Sequence, residues 1–172
     1  MSIYDSEYRF LHYLREHEPE GHRSNVPSDV VMDEAADLFV ASAYGPCEKV
    51  SPDTGERLFA FAYPRPPHGM MYIDDICLDL WGNVYLAIRS GADPINSGPY
   101  HGGVASIMKY TNTGEYLTTI NLSAKSPTRV SVTVNEAGKV YAAWSTAKKL
   151  PEVPAETKGK GVTAGVEVFA QE

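Results

Sequence analysis

Seven side chains of this 172-residue chain have the chemistry to hold a ligand, and their types divide the work between them. Arg65, Arg89 and Arg129 carry guanidinium groups, whose fork of N–H donors grips a carboxylate or phosphate through two parallel hydrogen bonds. Arg89 directly follows an apolar run and Arg129 directly precedes one, so both sit at the ends of elements, where they can face an opening. The same two arginines can instead close ion pairs with Asp29, Asp74 or Asp75, and both roles stay open. His68 lies in YPRPPHGMMY (Tyr63 to Tyr72), where it can bind a ligand or hydrogen-bond a neighbouring loop carbonyl. Asp93, Tyr100 and His101 are the polar and aromatic content of SGADPINSGPYHGG (Ser90 to Gly103), a stretch suited to a rim or lid, or to covering a neighbouring surface. No G-x-S-x-G elbow, P-loop or H-E-x-x-H occurs, and His12 and His17 are spaced too poorly to form a metal pair.

The elements that must position these groups are written as repeats. VVMDEAADLFVAS (Val30 to Ser42), ICLDLWGNVYLAI (Ile76 to Ile88) and VTVNEAGKVYAAW (Val132 to Trp144) are three versions of one phrase: an apolar strand, a tight polar turn, and a second strand. EKVSPDTGERLFAF (Glu48 to Phe61) and IMKYTNTGEYLTTI (Ile107 to Ile120) are a second phrase, with a weaker copy in SIYDSEYRFLHYL (Ser2 to Leu14). Each is a hairpin by its alternation and by turn residues such as Gly82-Asn83, Gly138, Pro52 to Gly55 and Thr111 to Gly114. In series they make four-stranded antiparallel meanders, strands a to d, that recur after roughly 46 and 56 residues.

A four-stranded repeat of this length predicts β-propeller blades in an all-β fold. A β-sandwich also uses short strands and regular turns, but it does not repeat the same hairpin chemistry. The pattern D-x-x-G-N-V-Y-x-A followed by K-Y-x-x-x-G-E-x-L resembles the six-bladed propellers of the NHL and SMP-30/gluconolactonase-like type. The expected division of the single domain 1–172 is an N-terminal c–d hairpin at 2–14, blades at 28–62 and 73–121, and a partial blade at 130–169 that ends on a strand from Gly165 to Phe169. That is about three blades, cut between strands c and d, whereas a propeller closes with four or more. The expected remedy is a homodimer of six blades, in which the strand around Phe10 to Tyr13 is exchanged into the partner's last blade. A fragment of a longer propeller, or a different half-propeller as partner, would answer the same shortfall.

In such a meander the a–b and c–d turns share one edge of the ring, and the b–c and d–a connections share the other. The long segments Glu16 to Pro27, Tyr63 to Ile73, Arg89 to Val104, Asn121 to Arg129 and Ser145 to Thr163 all belong to the second edge, which is therefore the expected binding face. The Pro- and Lys-rich stretch Lys148 to Gly161 reads as a solvated loop.

The Pro67-His68-Gly69 run resembles the entry to a blade in peptidyl-hydroxyglycine lyase propellers, and that resemblance implies a metal-binding role for His68. The cofactor stays open: a divalent metal ion belongs to the enzymatic alternative, with His68, His101 and Asp93 as its candidate ligands. Two functions from different classes follow: a non-enzymatic propeller that binds a small molecule, peptide or protein, and a metal-dependent hydrolase, lactonase or lyase at the channel. The net charge of −7 disfavours nucleic acid, which needs a basic face. No apolar stretch approaches the ~20 residues of a membrane helix. No leader is visible, and Cys47 and Cys77 lack metal-type spacing, so the expectation is a cytoplasmic protein with buried free thiols.

Overall fold

An aspartate or asparagine closes each of the three a–b turns. In the computed structural model, Asp33 Oδ1 accepts hydrogen bonds from the amides of Ala35 at 3.0 Å and Asp37 at 2.9 Å, while the Asp33 amide donates to the Asp37 carbonyl. Asp79 makes the same set with Trp81 and Asn83, and Asn135 makes it with Ala137 and Lys139. An Asx side chain here replaces the backbone partners that the reversing chain loses. The residue three positions on must then take a left-handed conformation: Gly82 at φ 77°, Gly138 at φ 76°, and, without a glycine, Ala36 at φ 66°.

The structure describes residues 2–4, 7, 10–13, 27–43, 46–61, 71–90, 103–125, 127–148 and 161–170. The strands are β1 (Ser2–Tyr4), β2 (Phe10–Tyr13), β3 (Pro27–Met32), β4 (Leu38–Ser42), β5 (Glu48–Val50), β6 (Arg57–Ala60), β7 (Met71–Leu78), β8 (Val84–Ser90), β9 (Val104–Tyr110), β10 (Tyr116–Lys125), β11 (Pro127–Val134), β12 (Val140–Lys148) and β13 (Gly161–Phe169). Every pairing is antiparallel and between consecutive strands: β1 with β2, then sheets β3–β6, β7–β10 and β11–β13. Among the described residues there is no helix long and apolar enough to cross a membrane.

The three larger sheets pack face to face, with their first strands β3, β7 and β11 adjacent. One core lies between the first and second sheets. Phe39, Ala41, Cys47 and Phe61 meet Ile76, Val84, Leu86 and Tyr110, with Phe61 set edge-on to Tyr110 at 5.1 Å. A second core lies between the second and third, where Tyr85, Ala87, Ala105 and Ile107 meet Val130, Val132, Val140 and Ala142. Alternation along β8 thus feeds both cores, its even residues to one side and its odd residues to the other. Blade-type meanders stacked through their first strands make the chain an all-β partial propeller.

Three element limits differ from the sequence reading. Asn121 to Arg129 is not a long d–a loop: β10 runs to Lys125 and β11 starts at Pro127, because Leu122 and Ala124 alternate into the core while Asn121 and Ser123 face out. The final strand starts at Gly161 and not Gly165, pairing Val162, Thr163 and Ala164 with Ala147, Thr146 and Ser145. Small residues and two glycines hid this extension, since they carry little strand signal. Strand β8 likewise takes in Arg89 and Ser90.

The turn geometry sets a stability test. Left-handed backbone costs a non-glycine residue about 1 kcal/mol or more, which exceeds the extra entropy a glycine loses on folding. Ala36→Gly is expected to raise the urea midpoint by an amount equivalent to about 0.5 kcal/mol, and Gly138→Ala to lower it by about 1 kcal/mol. A destabilised Ala36→Gly protein would contradict the strain assigned to this turn.

Candidate functional site

Strand ends Ser90, Val104, Lys148 and Gly161 lie at the sheet edge opposite the Asx turns, so the b–c connections leave from that edge. Arg65, His68, Asp93, Tyr100 and His101 lie outside the described residues. Among the described residues no group of three or more His, Cys, Asp or Glu is placed to hold a metal ion. Of the sequence-derived candidates, the structure places Arg89 and Arg129.

Arg89 takes the ion-pair role. Its Nε donates to both oxygens of Asp74, at 2.9 and 2.8 Å, and its guanidinium lies 4.5 Å from the centroid of the Tyr72 ring. Asp74 is itself nearly buried, and its Oδ2 also accepts the Val130 amide of the next sheet at 3.0 Å. The carboxylate therefore ties β8 and β11 to its own strand. Arg129 differs: its side chain is exposed, with no ion-pair partner among the described residues, and it stands at the rim of a cleft on the third sheet.

A ladder of carboxylates runs along the first strands. Asp29 Oδ2 accepts the Ile76 amide at 3.2 Å, and Asp75 Oδ2 accepts the Val132 amide at 2.9 Å. Each carboxylate also caps the amide that follows it in its own strand, Val30 at 2.8 Å and Ile76 at 3.0 Å. The equivalent residue in the third sheet is Ser131, paired with Ala143 as Asp75 is with Ala87 and Asp29 with Ala41. Burial, and then a hydrogen bond shared with Asp29, push the Asp75 carboxyl above the ordinary aspartate value, against the pull of the Val132 amide.

A second recurring group sits at the other edge. Lys49 Nζ pairs with Asp33 at 2.8 Å and Asp37 at 3.0 Å over the Phe39 ring; Lys109 approaches Asp79 at 3.8 Å over the Tyr85 ring. Burial alone would raise the Asp33 carboxyl, but Lys49 and the turn amides outweigh it and hold it below the usual range. In the third sheet both charges are gone. Asn135 replaces the aspartate, and Val168 occupies the register position of Lys49 and Lys109.

The third sheet is open on the side where the first two are covered. Val166 is 68% and Val168 55% exposed, whereas Cys47 and Ile107, at the register position of Val166, are fully buried. Ala143 is exposed, while its counterparts Ala41 and Ala87 are fully buried. This face holds a cleft of about 520 Å³ bounded by Arg129, Ser131, Ala143, Trp144, Ser145 and Val166. Its rear is braced by Glu167, whose Oε1 accepts from Trp144 Nε1 at 2.7 Å and from the Ser123 amide and hydroxyl of β10. Those bonds overcome the effect of burial and hold the Glu167 carboxyl below its ordinary value. The Trp144 ring lies against Gly165 so closely that a Cβ there would sit 2.5 Å from it. Neither thiol offers a nucleophile at neutral pH, as burial pushes Cys77 up to about 12 and Cys47 higher. Sequence reasoning reached Arg129 but not the cleft, whose only signal was a third phrase with one strand fewer.

No family model matches the chain, and neither does any curated protein. Among solved structures it is similar to one described as the structure of U3-55K, at 12% identity and a TM-score of 0.36, covering 78% of this chain and 48% of that one. It is also similar to the crystal structure of RRP9 WD40 repeats, at 14% identity and a TM-score of 0.34, covering 75% and 49%. The chain spans about half the length of the structures it matches.

The ladder makes a pH prediction. A carboxyl with a raised folded-state value binds its proton more tightly in the folded than in the unfolded chain. Its stabilising effect is thus complete below the unfolded-state value and is lost as pH rises through the folded-state value. Asp75→Asn, which keeps an oxygen for the Val132 amide, is expected to flatten this loss in thermal melts taken from pH 4 to 7. Identical pH profiles for the two proteins would remove Asp75 as the source.

Proposed function

We propose that the chain is a non-enzymatic binding module, half of a six-bladed ring that two copies complete. The observation that supports this most directly is the third sheet. Among the described residues it has three strands where the first two have four, and its last strand leaves Val166 and Val168 in solvent. An uncovered strand edge beside apolar side chains is a template for another strand and a liability if left alone. In this reading β2 of a second copy pairs along β13, and the exchanged strand closes the ring as a clasp. A small molecule or peptide is then held at the edge from which the b–c connections leave. Arg65, His68, Asp93, Tyr100 and His101 would rim that mouth, and Arg129 would offer a carboxylate-bearing ligand a bidentate contact. The blade phrase, of the kind found in NHL and SMP-30-like propellers, supports a six-bladed ring.

Sedimentation equilibrium of the intact chain tests this reading. The expected mass is twice 18.8 kDa at micromolar concentration, falling to that of a single shortened chain when residues 1–14 are removed. An intact chain that stays at 18.8 kDa up to 100-fold higher concentration would sink the two-copy ring.

A further inference from the structure

Packing inside the chain shows what each end of the stack is built to meet. At both internal joints the same register positions face each other. The odd-numbered residues of β4 and β8, Phe39 and Ala41 or Tyr85 and Ala87, look toward the following sheet. The residues they meet are Ile76, Val84 and Leu86 at the first joint, and Val132, Val140 and Ala142 at the second. Continuing the pattern beyond the chain leaves one face of each type unpaired. The third sheet presents Tyr141 and Ala143, the counterparts of Tyr85 and Ala87. The first sheet presents Val30, the counterpart of Ile76 and Val132, which is 41% exposed where those two are buried, with Met32 beside it at 60%.

Resting on the two-copy reading above, we infer that these two end faces are the two halves of one joint: the third sheet of each copy docks on the first sheet of its partner. The contact repeats between copies what the chain already does twice within itself, so the occupant of the third-sheet cleft is the Val30 face of a second copy. Three observations fit that occupant better than an unrelated protein. The alanine of the joint recurs at Ala41, Ala87 and Ala143, and at the first two there is room for nothing larger, both being fully buried. The lysine and aspartate found on the first two faces are replaced together, by Val168 and Asn135, so the end face is more apolar than they are, and the exposed Val30 and Met32 of a second copy are apolar as well. The ladder also stops in register. Ser131 is too short to reach across as Asp29 and Asp75 do, and the Val30 amide it would have met is already satisfied by Asp29 at 2.8 Å. The joint between copies therefore gives up one hydrogen bond of the internal joints without orphaning a donor. Because the two faces differ, the contact is head to tail, and a two-fold dimer contains it twice.

The test compares the intact chain with Ala143→Glu and Val30→Lys, each a charge placed at an exposed position in one of the two faces. Sedimentation gives the mass, and far-UV circular dichroism checks that the sheets persist. The inference expects both variants to retain the wild-type spectrum and to dissociate at least tenfold more readily than the wild type. If the wild type is dimeric and either variant dimerises with unchanged affinity, the head-to-tail joint is overturned while the pairing of two copies through strand exchange survives. A monomeric wild type overturns the ring and this joint together. Larger multiples of 18.8 kDa that both variants abolish would support the joint and overturn its closure at two copies.

Discussion

A carboxylate at the foot of one sheet, reaching the backbone amide of the next, is the constraint from which the arrangement follows. Asp29 and Asp75 each hold two amides, one in their own strand and one across the gap, and Asp74 adds a third crossing to Val130. These bonds pin neighbouring first strands at one spacing and one height. Once they are pinned, the apolar residues of the remaining strands have only the wedge between sheets to fill. Side chains such as Phe39, Tyr85 and Ile107 are spread along that wedge and reach full burial. The polar contacts thus decide how the sheets are set, and the apolar contacts supply most of the driving force for keeping them there.

Charge is handled differently at the two ends of each sheet. Near the turns, Lys49 and Lys109 lie across aromatic rings and neutralise the same aspartates that organise the turn backbone. Near the opposite edge, Arg89 neutralises Asp74 and stacks on Tyr72. Each of these three cations therefore has a structural task within a sheet or between two sheets. Arg129 has none among the described residues, and it stands beside the third-sheet cleft. The contrast between Arg89 and Arg129, one absorbed into the fold and one left over, separates a stabilising arginine from one available to a ligand.

Much of the fold could be read from residue types, because the turns are local chemistry. An Asx residue, a left-handed position three residues later and alternating apolar flanks announce the same hairpin at Asp33, Asp79 and Asn135 wherever they occur. Strand ends made of small residues were harder. Gly161 to Ala164 and Asn121 to Lys125 extend their sheets by pairing with a partner strand, a property of the partner as much as of the segment. The candidate site was less legible still. Whether Arg89 faces a ligand or Asp74 depends on a bulge in β7 that turns Asp74 toward it, and no spacing rule anticipates that bulge. The cleft could not be seen at all from local pattern, since Ala143 and Ala87 are the same residue in the same phrase and differ only in what lies opposite.

The tight seat of Trp144 has an optical consequence. The protein contains two tryptophans, and Trp81 projects from a turn into solvent at 64% exposure. Trp144 packs on the face of the third sheet turned toward the second, its ring nitrogen held by Glu167 and its ring pressed on Gly165. One indole therefore emits from water and reports nothing about the third sheet, while the other emits from a semi-polar niche against β10 whose hydration changes when the second and third sheets part. The molecule carries its own reporter of the packing between its second and third sheets, with a built-in solvent reference at a turn.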